Sequence, residues 1–269
     1  MSTNSTVVRH NSTSQPQQAR QNASTHALYL LGLWLLLSGL ALAQSGVVSS
    51  SDDPLQLALL QWNKQDTPPT FGVGSYPYGV AFDGANLWVT NANSYNVMKL
   101  RASDGTVLGT YATGVGPYSV AFDGANIWVA NYGAATVTKL QASTGSLLGT
   151  YTVGTGPIGV AFDGANIWVA NFLSNNVMKL RATDGTLLGT YSTGSGSGPV
   201  MVAFDGANIW VTNQNSFTLM KLRASDGSVL GTFSTGIYPY GVAFDGTNIW
   251  VSNQGSNSVM KFRLASTRS

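Results

Sequence analysis

A segment of about forty residues is repeated five times in this chain. Every copy contains the core Val-Ala-Phe-Asp-Gly-x-Asn-(Ile/Leu)-Trp-Val, and the copies begin at Val80, Val120, Val160, Val202 and Val242. A period of this length is typical of repeat architectures, in which each repeat buries its apolar surface against its neighbours. The period therefore constrains the fold more strongly than any single residue does.

Each copy divides into four short apolar runs separated by turn residues. In the second copy the runs are residues 118–122, 127–130, 137–141 and 147–151, and residues 123–126 form the first tight turn. The second run is apolar throughout, as in a strand that is buried on both faces. Four strands in a repeat of this length predict an all-β fold, a β-propeller of five four-stranded blades over residues 70–269.

The two ends of the repeat region predict how the propeller closes. The last copy stops after its third strand, at residues 259–263, and residues 70–74 align with the fourth-strand segment 110–114. An N-terminal strand that completes the last blade would remove exposed sheet edges. We therefore expect residues 70–73 to pair with the third strand of the last copy, giving a closed, monomeric ring.

The first 43 residues have the pattern of a secretory leader. A basic segment with Arg9 and Arg20 and no acidic residue precedes the apolar run 27–43, which ends in the small residues Ala41 and Ala43. This pattern predicts a signal peptide or, if the segment is not cleaved, an N-terminal anchor. Both readings place the repeats outside the cytoplasm, secreted or periplasmic, with residues 27–43 as the only membrane contact.

Residues 44–69 are expected to connect the leader to the repeats. Residues 55–62 within this connector could form a short helix after Pro54. Its apolar stripe would pack on the outside of the repeat body or recognise a partner.

Composition excludes several classes of chemistry. After residue 43 the chain has 11 Lys and Arg, 11 Asp, and no His, Cys or Glu. Triads built on His or Cys and zinc sites built on His or Cys therefore cannot form. A neutral chain without a basic run also lacks the electrostatic footprint of nucleic-acid binding. We expect no catalytic residue, no metal and no cofactor.

The residues that recur in every copy have structural explanations. The aspartate of the Asp-Gly-x-Asn turn is expected to cap its own turn, although five carboxylates could also suggest calcium. The recurring tryptophan is expected to pack inside its blade with its indole N–H paired, rather than to hold a quinone cofactor. Lysine and arginine on the third strand, such as Lys99 and Arg101, are expected on the outer wall, where Asp104 can pair with them.

The topology of a four-stranded meander separates the loops onto two faces. The Asp-Gly turns lie on one face, and the loops between second and third strands lie on the opposite face together with the crossings between blades. This second face has no charged residue and is rich in amides and aromatic rings. Such loops on a rigid scaffold suit an uncharged polar ligand such as a glycan, or an envelope protein. The alternative is that the asparagines only cap their loops and the rings only cover strand ends. The candidate ligand-binding residues are Asn91, Tyr95, Tyr118, Asn131, Tyr132, Asn171, Phe172, Met201, Asn213, Tyr240 and Asn253.

The repeat resembles the YVTN and NHL-like β-propeller repeats of secreted bacterial proteins. The resemblance rests on Trp128-Val129-Ala130-Asn131 and Trp88-Val89-Thr90-Asn91, on a glycine and a proline before the first strand, and on the Ser/Thr-Asp-Gly turn before the fourth. More distantly the chain is similar to streptogramin lyases and metal-dependent lactonases. Those enzymes use His, Glu and metal ligands at the mouth of the channel, and no His or Glu follows position 43 here.

The sequence therefore leaves three functions open. The first is a non-catalytic binding or scaffold propeller that uses the uncharged face. The second is a metal-dependent lyase or hydrolase, which the missing His and Glu disfavour. The third is a structural protein whose ring assembles with others.

Overall fold

The computed structural model describes residues 69–263, and all regular structure in this part of the chain is β. Nineteen strands form five antiparallel sheets, and each sheet follows chain order. Blade 1 contains β1 (Pro77–Phe82), β2 (Asn86–Asn91), β3 (Asn96–Arg101) and β4 (Val107–Ala112). Blade 2 contains β5 (Pro117–Phe122), β6 (Asn126–Asn131), β7 (Thr136–Gln141) and β8 (Leu147–Thr152). Blade 3 contains β9 (Pro157–Phe162), β10 (Asn166–Asn171), β11 (Asn176–Arg181) and β12 (Leu187–Ser192). Blade 4 contains β13 (Pro199–Phe204), β14 (Asn208–Asn213), β15 (Thr218–Arg223) and β16 (Val229–Ser234). Blade 5 contains β17 (Pro239–Phe244), β18 (Asn248–Asn253) and β19 (Ser258–Arg263). The predicted all-β propeller is confirmed.

The turn between the first two strands of each blade is built as its sequence predicts. In blade 2, Oδ1 of Asp123 accepts hydrogen bonds from the backbone N–H groups of Ala125 and Asn126, at 2.9 and 2.6 Å. Gly124 has φ 98°, in the region that favours glycine. The carboxylate therefore caps its own turn, and the hairpin between β5 and β6 begins in a fixed register.

The apolar core lies between blades rather than at one centre. Between blades 2 and 3, Trp128 and Val137 pack against Val160, Ile167 and Val169 of the next blade. All five side chains are buried. The same layer recurs between the other successive blades, because each copy presents the same residues to its neighbour.

A buried lysine joins successive blades, which corrects the expectation that the third-strand lysines coat the outer wall. Lys139 is only 5% exposed. Its ammonium group lies 5.0 Å from the ring centre of Trp128 and donates to the backbone carbonyls of Ala182 and Thr183, at 2.8 and 3.0 Å. Lys99 and Lys179 make the equivalent bonds to blades 2 and 4.

The arginines of the third strands are exposed, as predicted. Arg101 pairs with Asp104 at 2.9 Å, and each side chain of the pair is about half exposed. The equivalent pairs are Arg181–Asp184 and Arg223–Asp226. The two basic positions of one strand thus have different roles, since lysine lies in the interface between blades and arginine lies at the surface.

The predicted closing pair is not formed. Residues 70–73 have no strand conformation, and the sheet of blade 5 contains three strands. Trp250 is 37% exposed and Val259 is 63% exposed, whereas the equivalent Trp128 and Val137 are fully buried. Phe71 of this N-terminal segment instead lies against Gly105 of blade 1.

The propeller is therefore an arc of five blades with a gap between blades 5 and 1. The four interfaces between successive blades set the position of blade 5, and a single strand segment does not change that position. The predicted leader (1–43) and most of the predicted connector, including its short helix, lie outside the described residues. Within residues 69–263, no helix has the length and apolarity that crossing a membrane requires.

Candidate functional site

The loops of the uncharged face are tied to the crossings between blades. In blade 2 the N–H of Tyr132 donates to the carbonyl of Gly116 at 2.8 Å, and the N–H of Gly133 donates to the carbonyl of Val115 at 3.0 Å. These bonds join the loop after β6 to the segment that enters β5. The candidate surface therefore has a fixed backbone, as a preorganised binding site requires.

The five candidate asparagines that end the second strands are buried. Asn91, Asn131, Asn171, Asn213 and Asn253 are at most 2% exposed. Their Nδ2 groups donate within their own loops, as the bond from Asn91 to Oδ1 of Asn96 at 2.8 Å illustrates. Burial leaves these side chains little surface for a ligand, although Asn253 borders the cleft described below, and their contact with a ligand stays a prediction. They fix the loops, and their Oδ1 atoms have no hydrogen-bond partner among the described residues.

Three tyrosines gather on one side of the channel mouth. Tyr78, Tyr118 and Tyr240 occupy the second position of the first strand in blades 1, 2 and 5. Blades 3 and 4 have the apolar Ile158 and Val200 at that position. Blades 1 and 5 border the gap, and blade 2 is the neighbour of blade 1. The three rings therefore all lie on the gap side of the mouth.

The neighbouring crossings and loops enlarge this group. The ring centres of Tyr78 and Tyr118 are 4.3 Å apart, edge to face, and those of Tyr118 and Tyr132 are 5.1 Å apart. Tyr76, which is 59% exposed, lies close enough to Tyr118 and Tyr240 to affect their titration. We refer to these five residues, Tyr76, Tyr78, Tyr118, Tyr132 and Tyr240, as the tyrosine cluster.

The hydroxyl groups of Tyr118 and Tyr240 stay protonated at neutral pH, because the pKa of each is raised. Burial raises the pKa of Tyr118 above its ordinary value of 10.0, and the nearby Tyr132 and Tyr76 raise it further. Burial also raises the pKa of Tyr240, with a smaller effect from Tyr76. Tyr118 and Tyr240 therefore offer neutral hydroxyl donors and acceptors beside aromatic faces.

A cleft of about 670 Å³ opens at the gap between blades 5 and 1, next to this cluster. Its size is within the range of small-molecule sites. None of its lining residues is charged. They are Tyr78, Tyr240, Ser252, Asn253, Gln254, Asn257, Ser258 and Val259.

The remaining candidates lie at other positions. Tyr95 is half exposed in the loop after β2, and its φ of 54° turns that loop. Phe172 is partly buried and covers Gly198 of the next crossing. Met201 lies on β13 beside Gly159 of the neighbouring first strand. Phe172 and Met201 thus belong to blades 3 and 4, on the apolar side of the mouth.

Six residues that line the cleft are not among the ligand-binding residues predicted from the sequence. These are Tyr78, Ser252, Gln254, Asn257, Ser258 and Val259. One signal was available, since the residue after the first-strand proline is tyrosine in three copies and aliphatic in the other two. The blade 5 residues carry no such signal, because they are accessible only where the arc opens.

The carboxylates of the Asp-Gly turns make hydrogen bonds within their own blades. Oδ1 and Oδ2 of Asp123 both accept from the side-chain amide of Asn126, and Oδ2 also accepts from the indole of Trp128. Burial raises the pKa of Asp123, but the bonds from Trp128, Asn126 and the turn backbone lower it more, so the net pKa is below the ordinary value. Among the described residues, no three His, Cys, Asp or Glu side chains come together as a metal site would need.

No protein-family model and no curated protein sequence matches the chain. Solved structures do. A catalytically inactive variant of virginiamycin B lyase from Staphylococcus aureus with quinupristin has a TM-score of 0.62 at 19% identity, covering 71% of this chain and 67% of that one. A putative 6-phosphogluconolactonase from Bacteroides fragilis has a TM-score of 0.61 at 20% identity, covering 74% and 70%. U3-55K has a TM-score of 0.66 at 13% identity, covering 72% and 63%.

These similarities confirm the resemblance to lyase-like and lactonase-like propellers. At such identities they show the fold alone. The fold supports many unrelated functions, so only the chemistry of the site can indicate the function of this protein.

Proposed function

We propose that this protein is an extracytoplasmic, non-catalytic binding propeller that recognises an uncharged polar ligand of the glycan type. The observation that carries the proposal is the pair Tyr78 and Tyr240, which line one cleft of about 670 Å³ that has no charged lining residue. The location outside the cytoplasm follows from the predicted leader in residues 1–43.

The chemistry of the lining matches a sugar. Aromatic faces accept the apolar C–H surface of a pyranose ring, and the tyrosine hydroxyl serves as a polar contact at the ring edge. Side-chain amides of Gln254 and Asn257 can donate to and accept from sugar hydroxyls. Because no charge takes part, binding should change little between low and high ionic strength.

The direct test is a screen of neutral oligosaccharides followed by calorimetric titration. Tyr78→Ala and Tyr240→Ala are each expected to weaken binding about tenfold or more, equivalent to roughly 1.4 kcal/mol. Tyr95→Ala is the matched control, because Tyr95 is half exposed on the same face but does not line the cleft. Its affinity should remain that of the unmodified protein.

Other outcomes would point elsewhere. If no neutral glycan binds at millimolar concentration, or if Tyr78→Ala and Tyr240→Ala bind as well as the control, the proposal fails. Capture of one envelope protein that the tyrosine variants lose would identify a protein ligand for the same site. A bound divalent metal whose removal abolishes turnover of a streptogramin or a lactone would support the enzymatic alternative.

A further inference from the structure

The two ends of the arc carry the two halves of one interface. At each of the four internal contacts, one blade presents a trailing face with its second-strand tryptophan, and the next blade presents a leading face with its first-strand valine. Between blades 1 and 2 these residues are Trp88 and Val120, which belong to one buried cluster. Trp88 is fully buried and Val120 is 8% exposed.

The trailing face of blade 5 is uncovered. Trp250 is 37% exposed and Val259 is 63% exposed. Lys261 is placed as Lys139 is, with its ammonium group 5.2 Å from the tryptophan ring centre of its own blade. Lys139 also donates to carbonyls of the next blade, whereas Lys261 donates to no acceptor among the described residues. Both the apolar part and the polar part of the interface therefore lack their counterpart.

The leading face of blade 1 is uncovered as well. Val80 is 62% exposed and Phe82 is 53% exposed, while Val120 in blade 2 is 8% exposed. Ala102 is exposed, although its counterpart Ala142 is buried and accepts the hydrogen bond of Lys99 through its carbonyl.

The N-terminal segment extends this leading face. Phe71 lies against Gly105 of blade 1 in the same way as Tyr111 of blade 1 lies against Gly145 of blade 2. Tyr111 also packs against Trp88 of its own blade, with ring centres 5.4 Å apart and the rings tilted by 32°. Phe71 thus occupies the position of a fourth-strand aromatic ring, but no tryptophan of the described residues stacks beside it. Trp250 is the tryptophan of blade 5, and no fourth-strand ring of the described residues lies beside it.

We propose that a second copy of this chain docks head to tail on these ends. Its residues 70–73 would pair with β19 as a fourth strand, its Phe71 would stack on Trp250, and its Ala102 carbonyl would accept from Lys261. Within one chain the four buried interfaces hold the two ends apart, whereas a second copy approaches without that constraint. A head-to-tail contact of this kind closes into a ring of copies or continues as an open chain. Ser258 and Val259 line both this contact and the cleft of the proposed function, so a docked copy would compete with a ligand there. The two tests below use no ligand and therefore measure docking alone.

Disulfide trapping tests the proposal, and the absence of native cysteine gives a clean background. In blade 2, Thr136 and Thr152 lie directly opposite each other on β7 and β8. The equivalent positions at the proposed contact are Ser258 and Gly72. Ser258 is exposed, and a Cβ at Gly72 would have no atom within 4 Å, so both positions accept cysteine.

The experiment mixes Gly72→Cys and Ser258→Cys proteins that carry different tags, under oxidising conditions. We expect a disulfide-linked pair containing both tags, with about tenfold more product than Gly72→Cys gives with Ser228→Cys, because only opposed Cβ atoms lie within disulfide reach. Ser228 is an exposed residue of blade 4 and serves as the unmatched control. The double variant Thr136→Cys/Thr152→Cys checks that oxidation is complete.

Two results would overturn the proposal. One is an absence of the mixed product while the Thr136/Thr152 pair oxidises. The other is a Gly72→Cys/Ser258→Cys double variant that closes within one chain at all dilutions while the single variants do not combine, which would mean that the ring closes on itself.

Light scattering gives a second readout without cysteine. The mass of the unmodified protein should rise above that of one chain as concentration increases, and Val80→Lys should abolish the rise. Leu147→Lys is the matched control, because Leu147 is 63% exposed but lies on the outer edge of blade 2, away from both ends. A mass of one chain at every concentration, or equal behaviour of the two lysine variants, would contradict the proposal.

Discussion

The indole Nε1 of Trp128 donates to Oδ2 of Asp123 across 2.8 Å, which joins the buried second strand of the blade to its own turn. The same bond occurs in all five blades, at 2.6 to 2.8 Å. The carboxylate thus has two roles. It caps the turn, and it accepts the hydrogen bond of the indole N–H, which is the only polar group of the largest core side chain. A buried donor without its acceptor is costly, so this pair is a sensitive point of the fold.

Replacing the turn carboxylate should therefore destabilise the propeller. Asp123→Ala removes the acceptor of Trp128 and of the turn N–H groups, and we expect the free energy of unfolding to fall by about 2 to 3 kcal/mol. Urea denaturation followed by tryptophan fluorescence measures the change. Asp184→Ala is the control, because Asp184 makes an exposed ion pair with Arg181. It should cost much less, and an equal loss in the two variants would contradict the assignment.

Lys139, which lies between two blades, should contribute more to the free energy of unfolding than Lys261, its counterpart at the open end of the arc. Lys139→Met keeps the length of the side chain but leaves the carbonyls of Ala182 and Thr183 without their donor. We expect a loss of about 2 kcal/mol in the free energy of unfolding. Lys261→Met is the matched variant, since Lys261 makes the same approach to its tryptophan but bonds to no described carbonyl. Equal losses for the two variants would show that the bonds between blades contribute nothing.

Acid should destabilise the fold below pH 4. Hydrogen bonds lower the pKa of Asp123 although burial raises it, and backbone and side-chain bonds from Thr186 followed by Arg181 lower the pKa of Asp184 to about 2 from 3.8. A carboxyl group whose folded pKa is depressed stabilises the fold at pH values above its unfolded pKa, and this contribution disappears as pH falls through the folded pKa. The urea midpoint should therefore be nearly constant from pH 7 to 5 and should decrease between pH 4 and 2. In Asp123→Ala the decrease over that interval should be smaller, and an unchanged slope would speak against this source of acid sensitivity.

One glycine should tolerate no side chain because a neighbouring backbone occupies the space. A Cβ at Gly159 would lie 2.8 Å from Cα of Met201 in the next first strand. Gly159→Ala should therefore push blades 3 and 4 apart, at a cost of about 1 to 3 kcal/mol in the free energy of unfolding. At Gly241 the added Cβ would meet only Oγ of Ser252, at 3.0 Å, and this exposed side chain can shift by a few tenths of an ångström while it keeps its hydrogen bond from the Gly241 N–H. A thermal melt of Gly241→Ala should stay close to that of the unmodified protein; a drop as large as that of Gly159→Ala would refute the steric explanation.

Sequence reasoning succeeded where the determinants are local. The strands, the Asp-Gly turns and the internal pairing of tryptophan depend on residues within one repeat, and they recur five times. The position of Lys139 could not be obtained in this way, because both faces of a third strand are largely buried and the alternation of polar residues does not distinguish them. Its acceptors, Ala182 and Thr183, lie a full repeat further along the chain.

The candidate site was only partly predictable for a related reason. The sequence indicated a neutral aromatic face, but it could not separate buried Asn131 from the exposed rings, because loop burial depends on the crossing that covers it. The closing strand failed as an expectation because the gap depends on how far each blade turns relative to the last. That rotation is a property of side-chain packing summed over four interfaces, and no single repeat contains it. The cleft beside Tyr240 exists because of this gap.

The bonds from Lys99, Lys139 and Lys179 run in one direction only, towards the blade that follows each lysine in the sequence. During synthesis the ribosome therefore completes Lys99 before the carbonyl of Ala142 exists, and it completes Lys139 before that of Ala182. Each of these ammonium groups can reach its acceptors only when the following repeat has folded against it. The row of blades therefore has a polarity, in which the packing of one repeat is completed by the repeat that follows it in the chain.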